Sequence, residues 1–265
     1  MNLEYYQTQR EFILAEIIEK LSTDERFVAG WLTGSLSRNE ADSLSDIDLT
    51  LVVSDKFSTS LCTRLEQVSA QTSPERLTLF SQFGTPALLH ENNNNAPEGG
   101  TFTFVLYAKS AIMIDWILVP QSVAIRPIQS RLLFEKTILP MEPAPQPEDF
   151  DLSKKSVAEQ WAFFWMMVII TIKYIQRGDG VFAAEWIEHL HGLMYDIERR
   201  LNRDVWRYKR GSHSKLQSTR EKQLESIREL CRRMQGLESR VTEFTGLRPV
   251  TPSAEIEVFL TFAQK

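Results

Sequence analysis

The segment GWLTGSLSRNEADSLSDIDLTLVV, Gly30 to Val53, constrains this chain more than any other. It opens and closes as apolar, β-prone runs. Between them it holds Gly34-Ser35, a polar stretch, and Asp46 and Asp48 separated by one isoleucine. Successive side chains of a strand point to opposite faces, so residues two apart share a face. Asp46 and Asp48 therefore converge on one side. Like charges so close repel, and each makes the other harder to ionise unless something positive lies between them. Oxygen anions a few ångströms apart suit Mg2+, which fills its remaining positions with water and phosphate.

A third acid stands in equally apolar company, Asp115 within AIMIDWILV. If that run is a strand beside the Asp46–Asp48 strand, three carboxylates line one sheet face. Three such acids can hold two metal ions for in-line phosphoryl or nucleotidyl transfer. Gly34-Ser35 supplies the other half. A glycine at a strand end lets the backbone turn tightly and bring amide N–H groups close to a ligand. SLSRNE reads as the first turn of a short helix, whose free N–H groups attract phosphate, and the Ser35 hydroxyl adds a donor.

Bulk properties narrow the class. The 265 residues are 43% hydrophobic and 25% charged, which excludes disordered and fibrous chains. Residues 1–150 carry 11 Lys/Arg against 20 Asp/Glu, net −9, while residues 151–265 carry 19 against 15, net +4. An acidic first half argues against a duplex-DNA binder. Cys62 and Cys231 lie far apart without metal-ligand spacing, so neither a disulfide framework nor a zinc site is expected, and a reducing cytoplasm is. MNLEYYQTQREF lacks the regions of a signal peptide. The most apolar run, Trp161–Ile172, is roughly half the ~20 residues a membrane span needs. The expectation is a cytoplasmic protein that keeps away from membranes.

Periodicity predicts an amphipathic helix over residues 4–21, with Phe12, Ile13, Ile17 and Leu21 on its apolar face. RFVAGWLTG predicts a strand turning at Gly34, and SDIDLTLVV a second strand. Helical character returns around Ser58–Ala70, and RLTLFSQFG reads as a strand meeting a turn at Gly84. HENNNNAPEGG is turn chemistry, a surface loop. TFTFVLYAK and AIMIDWILV predict an antiparallel pair. PMEPAPQPEDF is proline-rich and predicts a stiff linker over 141–152. Beyond it the pattern is helical only. Ser153 is expected to cap a helix that runs to Arg177, where GDG stops it. A second helix reaches about Arg203, a third spans Ser218–Gln235, and a short fourth lies near the C-terminus. Trp161, Trp165, Met166 and Met167 read as core. His189 and His191 fall on different helix faces. RYKRGSHSK, Arg207–Lys215, reads as a solvated loop rather than a nucleic-acid patch. The expected fold class is α+β: residues 1–140 as a small mixed sheet with flanking helices, the linker, then residues 153–265 as a helical bundle.

Apolar strand, Gly-Ser, spacer, Asp-x-Asp, apolar strand, with a third acid at Asp115, resembles the signature of the DNA-polymerase-β-like nucleotidyltransferase superfamily. The overall plan is similar to its small-molecule adenylyltransferases that act on aminoglycosides and lincosamides. ITIKYIQRGDGVFAAEWIEHL carries a diffuse match to their helical domain. The resemblance implies a nucleotidyltransferase domain at residues 1–140, in which Gly34, Ser35 and Ser45 contact the triphosphate. It implies that Asp46 and Asp48 bind magnesium, and that Asp115 is a third ligand or the general base. It further implies that Lys173, with Arg177 one turn on, approaches the phosphates from the second domain. The implied reaction moves AMP from ATP to a hydroxyl of a small acceptor such as an aminoglycoside-like antibiotic. Lys173 also reads as a solvated lysine at a helix end. Three other functions fit the sequence: the same chemistry on a protein or RNA acceptor, a non-catalytic antitoxin-like nucleotide-binding module, and a metal-binding α/β domain with a chance motif.

Overall fold

The computed structural model describes residues 2–65, 72–92, 95–142, 155–202 and 219–264. The chain divides into two units, Met1–Phe150 and Asp151–Lys265. The first is built on a six-stranded mixed sheet and the second is helical. Among the described residues no helix is long and apolar enough to cross a membrane.

Helix α1 spans Leu3–Thr23, its start fixed by the Asn2 side chain accepting from the Tyr5 N–H at 2.8 Å. Its buried stripe is Tyr6, Arg10, Ile13, Ile17 and Leu21. Phe12, expected on that stripe, is 57% exposed. Positions 6, 10, 13 and 17 form one face of a 3.6-residue helix, and position 12 lies more than a third of a turn from its centre. Strand β1, Phe27–Leu32, leads through α2, Gly34–Ser37, to β2, Ile47–Val53. Then come α3 (Asp55–Leu61), α4 (Pro74–Ser81), β3 (Pro86–Glu91), β4 (Thr101–Tyr107), β5 (Met113–Pro120), β6 (Arg126–Pro127), β7 (Arg131–Glu135) and β8 (Met141–Glu142).

The sheet order is β3-β4-β5-β2-β1-β7, and β6 pairs with β8 separately. The expected β4–β5 antiparallel pair forms. Beside it β5 runs parallel to β2, the one parallel pairing in the six-stranded sheet. Four strand segments, β3, β6, β7 and β8, were not anticipated from sequence. The strand expected in RLTLFSQFG is instead α4, because Ser73 caps the N–H of Arg76 at 3.2 Å and Pro74 sits in the first turn. Cap chemistry there outweighs the β-branched and aromatic content. Helix α3 stops at Leu61, and the rest of the expected Ser58–Ala70 helix falls partly on residues 66–71, outside the described residues.

One sheet face is apolar and fully buried, with Ile47, Leu49, Leu51 and Val53 from β2 and Ile114, Trp116 and Leu118 from β5. Phe80 and Phe83, at and just past the end of α4, pack on Trp116 with ring centroids 5.1 and 5.6 Å away. On the other face a smaller core joins Ala29, Trp31, Val52 and Val119 to Ala124 and Leu139. That core leaves the N-terminal ends of β2 and β5 to polar residues.

The second unit contains α5 (Val157–Arg177), α6 (Gly180–Leu201), α7 (Arg220–Gln235), α8 (Glu238–Thr245) and α9 (Ser253–Phe262). Helix α5 touches all four others, and its burial nearly all round follows from that central position. Its cap is Ser156, not Ser153, in a capping box with Glu159. Ser153 and most of the proline-rich linker, residues 143–154, lie outside the described residues, as does the basic run 207–215. Gly178, with φ +84°, ends α5 as GDG foretold. Two helices, rather than one, close the chain.

Candidate active site

The site forms where β1 turns out of the sheet and β2 enters it. The Thr33 N–H donates to the Asp48 carbonyl at 3.0 Å, which holds the end of β1 against the start of β2. The chain then turns at Gly34, whose φ of +61° lies in the left-handed region that side chains disfavour. A second constraint acts at the same atom. A Cβ on Gly34 would stand 1.9 Å from Asp48 Oδ2 and 2.7 Å from its Cγ. The Asp48 carboxylate therefore lies directly against the glycine backbone, and no side chain fits between them.

Asp48 and Asp115 are register partners across the parallel β2–β5 pairing. Side chains of register partners leave the same face, from backbones about 4.8 Å apart. The juxtaposition expected from sequence is met: the Asp115 strand lies beside the Asp48 strand, and both acids face one way. Both are half-buried, as is Asp46, the residue just before β2. Ile47 between them is fully buried toward the opposite face. The antiparallel partner of Asp115 on its other side is Phe104, and next to Phe104 is His90. Thr33, Asp48, Asp115, Phe104 and His90 thus form one row across the sheet.

Among the described residues no group of three or more His, Cys, Asp or Glu side chains is gathered to hold a metal ion. What the structure presents is a register-matched carboxylate pair, with Asp46 at the edge of the same strand.

Ser35 follows Gly34 in α2, and its carbonyl accepts from the Glu40 N–H at 3.1 Å. Ser45 adjoins Asp46 but is only 2% exposed. Its hydroxyl accepts from the Asp42 N–H and bonds Asp42 Oδ1, both at 3.0 Å. The hydroxyl thus helps to frame the loop that precedes β2. Lys173 belongs to α5 of the helical unit, where it is 2% exposed, unlike a solvated helix-end lysine. Arg177 is the last residue of that helix.

The sequence reading missed Arg10. Its guanidinium is buried beneath the loop, and Nη1 donates to the carbonyls of Asp42 and Ser45, each at 2.8 Å. The signal was present: an arginine on the apolar stripe of α1, between Tyr6 and Ile13, must bury its charge or break the pattern. Glu91, on the helix-covered face, pairs with the buried Arg76.

The chain matches no protein-family model, and no curated protein matches it.

Proposed function

We propose that this chain is a magnesium-dependent nucleotidyltransferase that moves AMP from ATP to a hydroxyl of a small acceptor, with aminoglycoside-like antibiotics as the class to try first. One observation carries the reading: Asp48 and Asp115 are register partners on adjacent parallel strands, and the Asp48 carboxylate is seated against a glycine that admits no side chain. Two unit charges about 5 Å apart repel by about 3 kcal/mol at an effective dielectric near 20. Two carboxylates placed side by side in this way favour a cation between them.

The donor set fits Mg2+, which commonly takes one or two protein carboxylates and completes its octahedron with phosphate and water oxygens. Asp48 and Asp115, the register-matched pair, would hold it, and when bound it supplies charge neutralisation for the triphosphate and the departing pyrophosphate. Gly34 lets the chain pass close to the phosphates without a side chain in the way. The acceptor oxygen forms a bond to the α-phosphorus as the bond to pyrophosphate breaks. The proton it sheds goes to Asp115, the acid not seated on the glycine. Positioning and electrostatics carry nearly all of the work in such a transfer.

The test is a pyrophosphate-release screen with Mg2+, each of the four nucleoside triphosphates and a panel of hydroxylated antibiotics. Release that requires both an acceptor and Mg2+, fastest with ATP, supports the reading. Folded protein that releases no pyrophosphate in any arm, and transfers no label from ATP to protein or RNA, overturns it.

A further inference from the structure

We infer that Arg10 is a positioning residue for the carboxylate site, a buried cation that fixes the peptide plane in front of Asp46. Only its catalytic consequence rests on the nucleotidyltransferase reading.

Arg10 is 4% exposed. Among the described residues no carboxylate closes an ion pair with it, and its Nε has no hydrogen-bond partner. Burying an arginine without a counter-charge is costly, and the stripe of α1 would accept a leucine or methionine at that place. What the guanidinium does with its charge is bond two carbonyls. The two hydrogens of Nη1 diverge in the plane of the group, and they meet Asp42 O and Ser45 O, each at 2.8 Å.

Those carbonyls bracket a loop already tied to itself. Asp42 Oδ1 accepts the Leu44 N–H at 2.9 Å, Ser45 N donates to Asp42 O at 3.3 Å, and the Leu44 side chain is buried. The Ser45 carbonyl belongs to the peptide unit that ends at the Asp46 nitrogen. Holding that oxygen sets the plane from which Asp46 and then β2 depart. The guanidinium ties the carbonyl at the start of the Asp42 turn to the one that leads into β2. An ammonium on a lysine stem offers donors but not the planar fork, and its reach is shorter.

The experiment compares the wild type with Arg10→Met and Arg10→Lys by amide hydrogen exchange at residues 42–46 in the protein alone, by thermal unfolding, and by the Mg2+ concentration giving half-maximal pyrophosphate release. In Arg10→Met, exchange at 42–46 should quicken about tenfold or more while the unfolding temperature holds, because a buried charge has been removed together with the bonds it made. Half-activity should then need more Mg2+, and kcat should fall about tenfold or more with the acceptor KM unmoved. Arg10→Lys should recover part of both. Unchanged exchange in Arg10→Met overturns the inference, whatever the wild type does with ATP. Quickened exchange with an unshifted Mg2+ requirement overturns its catalytic half. If the wild type releases no pyrophosphate, the transferase reading has failed, and exchange alone judges whether Arg10 holds the loop.

Discussion

Two charged clusters sit on opposite faces of one sheet, and they obey opposite rules. On the helix-covered face Arg76 is fully buried. It donates Nη2 to both oxygens of Glu91 at 2.8 Å, Nε to Glu91 and Thr72, and Nη1 to the carbonyls of Leu61 and Thr63. Opposite charges meet there and every nitrogen is used. On the other face Asp48 and Asp115 bring like charges together at register positions, half-buried. The first cluster is complete within the chain. The second sets two like charges side by side next to a glycine turn, an arrangement that favours a cation, which is why one serves the fold and the other is a candidate for chemistry.

The comparison is tested hardest by Asp48→Ala. Turnover should fall by roughly a thousandfold or more, the scale of losing a principal electrostatic contact in a transfer site. The midpoint of urea unfolding should hold or rise, because repulsion has been relieved. Pyrophosphate release at the normal rate would remove the mechanism. A large loss of stability would make Asp48 a structural acid like Glu91 and erase the distinction.

Glu91→Ala is the mirror experiment. It leaves the Arg76 guanidinium buried beside a missing partner, a change that costs about 3–5 kcal/mol in comparable buried pairs. Urea unfolding should register that loss, while pyrophosphate release per folded molecule stays at the wild-type level. Lost activity in the folded fraction would tie the two faces together.

Gly34→Ala separates backbone strain from crowding, with Gly178→Ala as its control. Both glycines have positive φ, +61° and +84°, but a Cβ at Gly178 would meet nothing within 4 Å. Each substitution should cost about 1–2 kcal/mol through the left-handed backbone. Only Gly34→Ala should also slow turnover, because its methyl must push the Asp48 carboxylate off the position it holds. Equal activity in the two variants would show that the seat of Asp48 on Gly34 is dispensable.

How much of this was legible follows from which forces are local. The Gly30–Val53 segment announced two strands and a glycine turn, because strand periodicity and turn chemistry are written within a few residues; Asp46, expected on the face of Asp48, stands just before the strand. The Asp48–Asp115 register was a conditional expectation, since nothing in either run says which strand is its neighbour. Long-range pairing decided it. RLTLFSQFG misled because β propensity reflects packing context more than backbone preference, and the Ser73-Pro74 cap one step upstream went unweighed. The resemblance implies a ligand contact at Ser45, and nothing in the sequence shows that its hydroxyl also bonds Asp42. Arg10 was visible as a breach of an apolar stripe, but its acceptors lie 32 and 35 residues away. Sequence can flag such a breach without naming what it serves. The helical unit was read well as helices, with Ser156 in place of Ser153 and α8 and α9 in place of one helix, since capping boxes and apolar stripes are local signals too.

Asp196 in the helical unit supplies the intermediate case, and the smallest effect. Burial alone would raise its carboxyl. Hydrogen bonds from Arg199 and Gln160 and the charges of Arg200 and Arg199 outweigh that, holding it below the usual carboxylate range. The charges are opposite, as at Arg76–Glu91, yet the Asp196 side chain keeps 28% of its surface exposed, so solvent screens the cluster. A carboxyl whose folded pKa is depressed contributes stability that is present above its unfolded pKa and lost as pH falls through the folded value. The difference in unfolding free energy between the wild type and Asp196→Asn should therefore be largest near neutrality, about 1 kcal/mol or less for a screened pair, and should shrink as the pH drops below about 4. Repeating the titration in 1 M salt should reduce the neutral-pH difference, since surface pairs are screened within a few ångströms there. A difference that keeps its size across pH would assign the contribution of Asp196 to packing and neutral hydrogen bonds. The contrast between sealed and open charge clusters would then stop at the sheet.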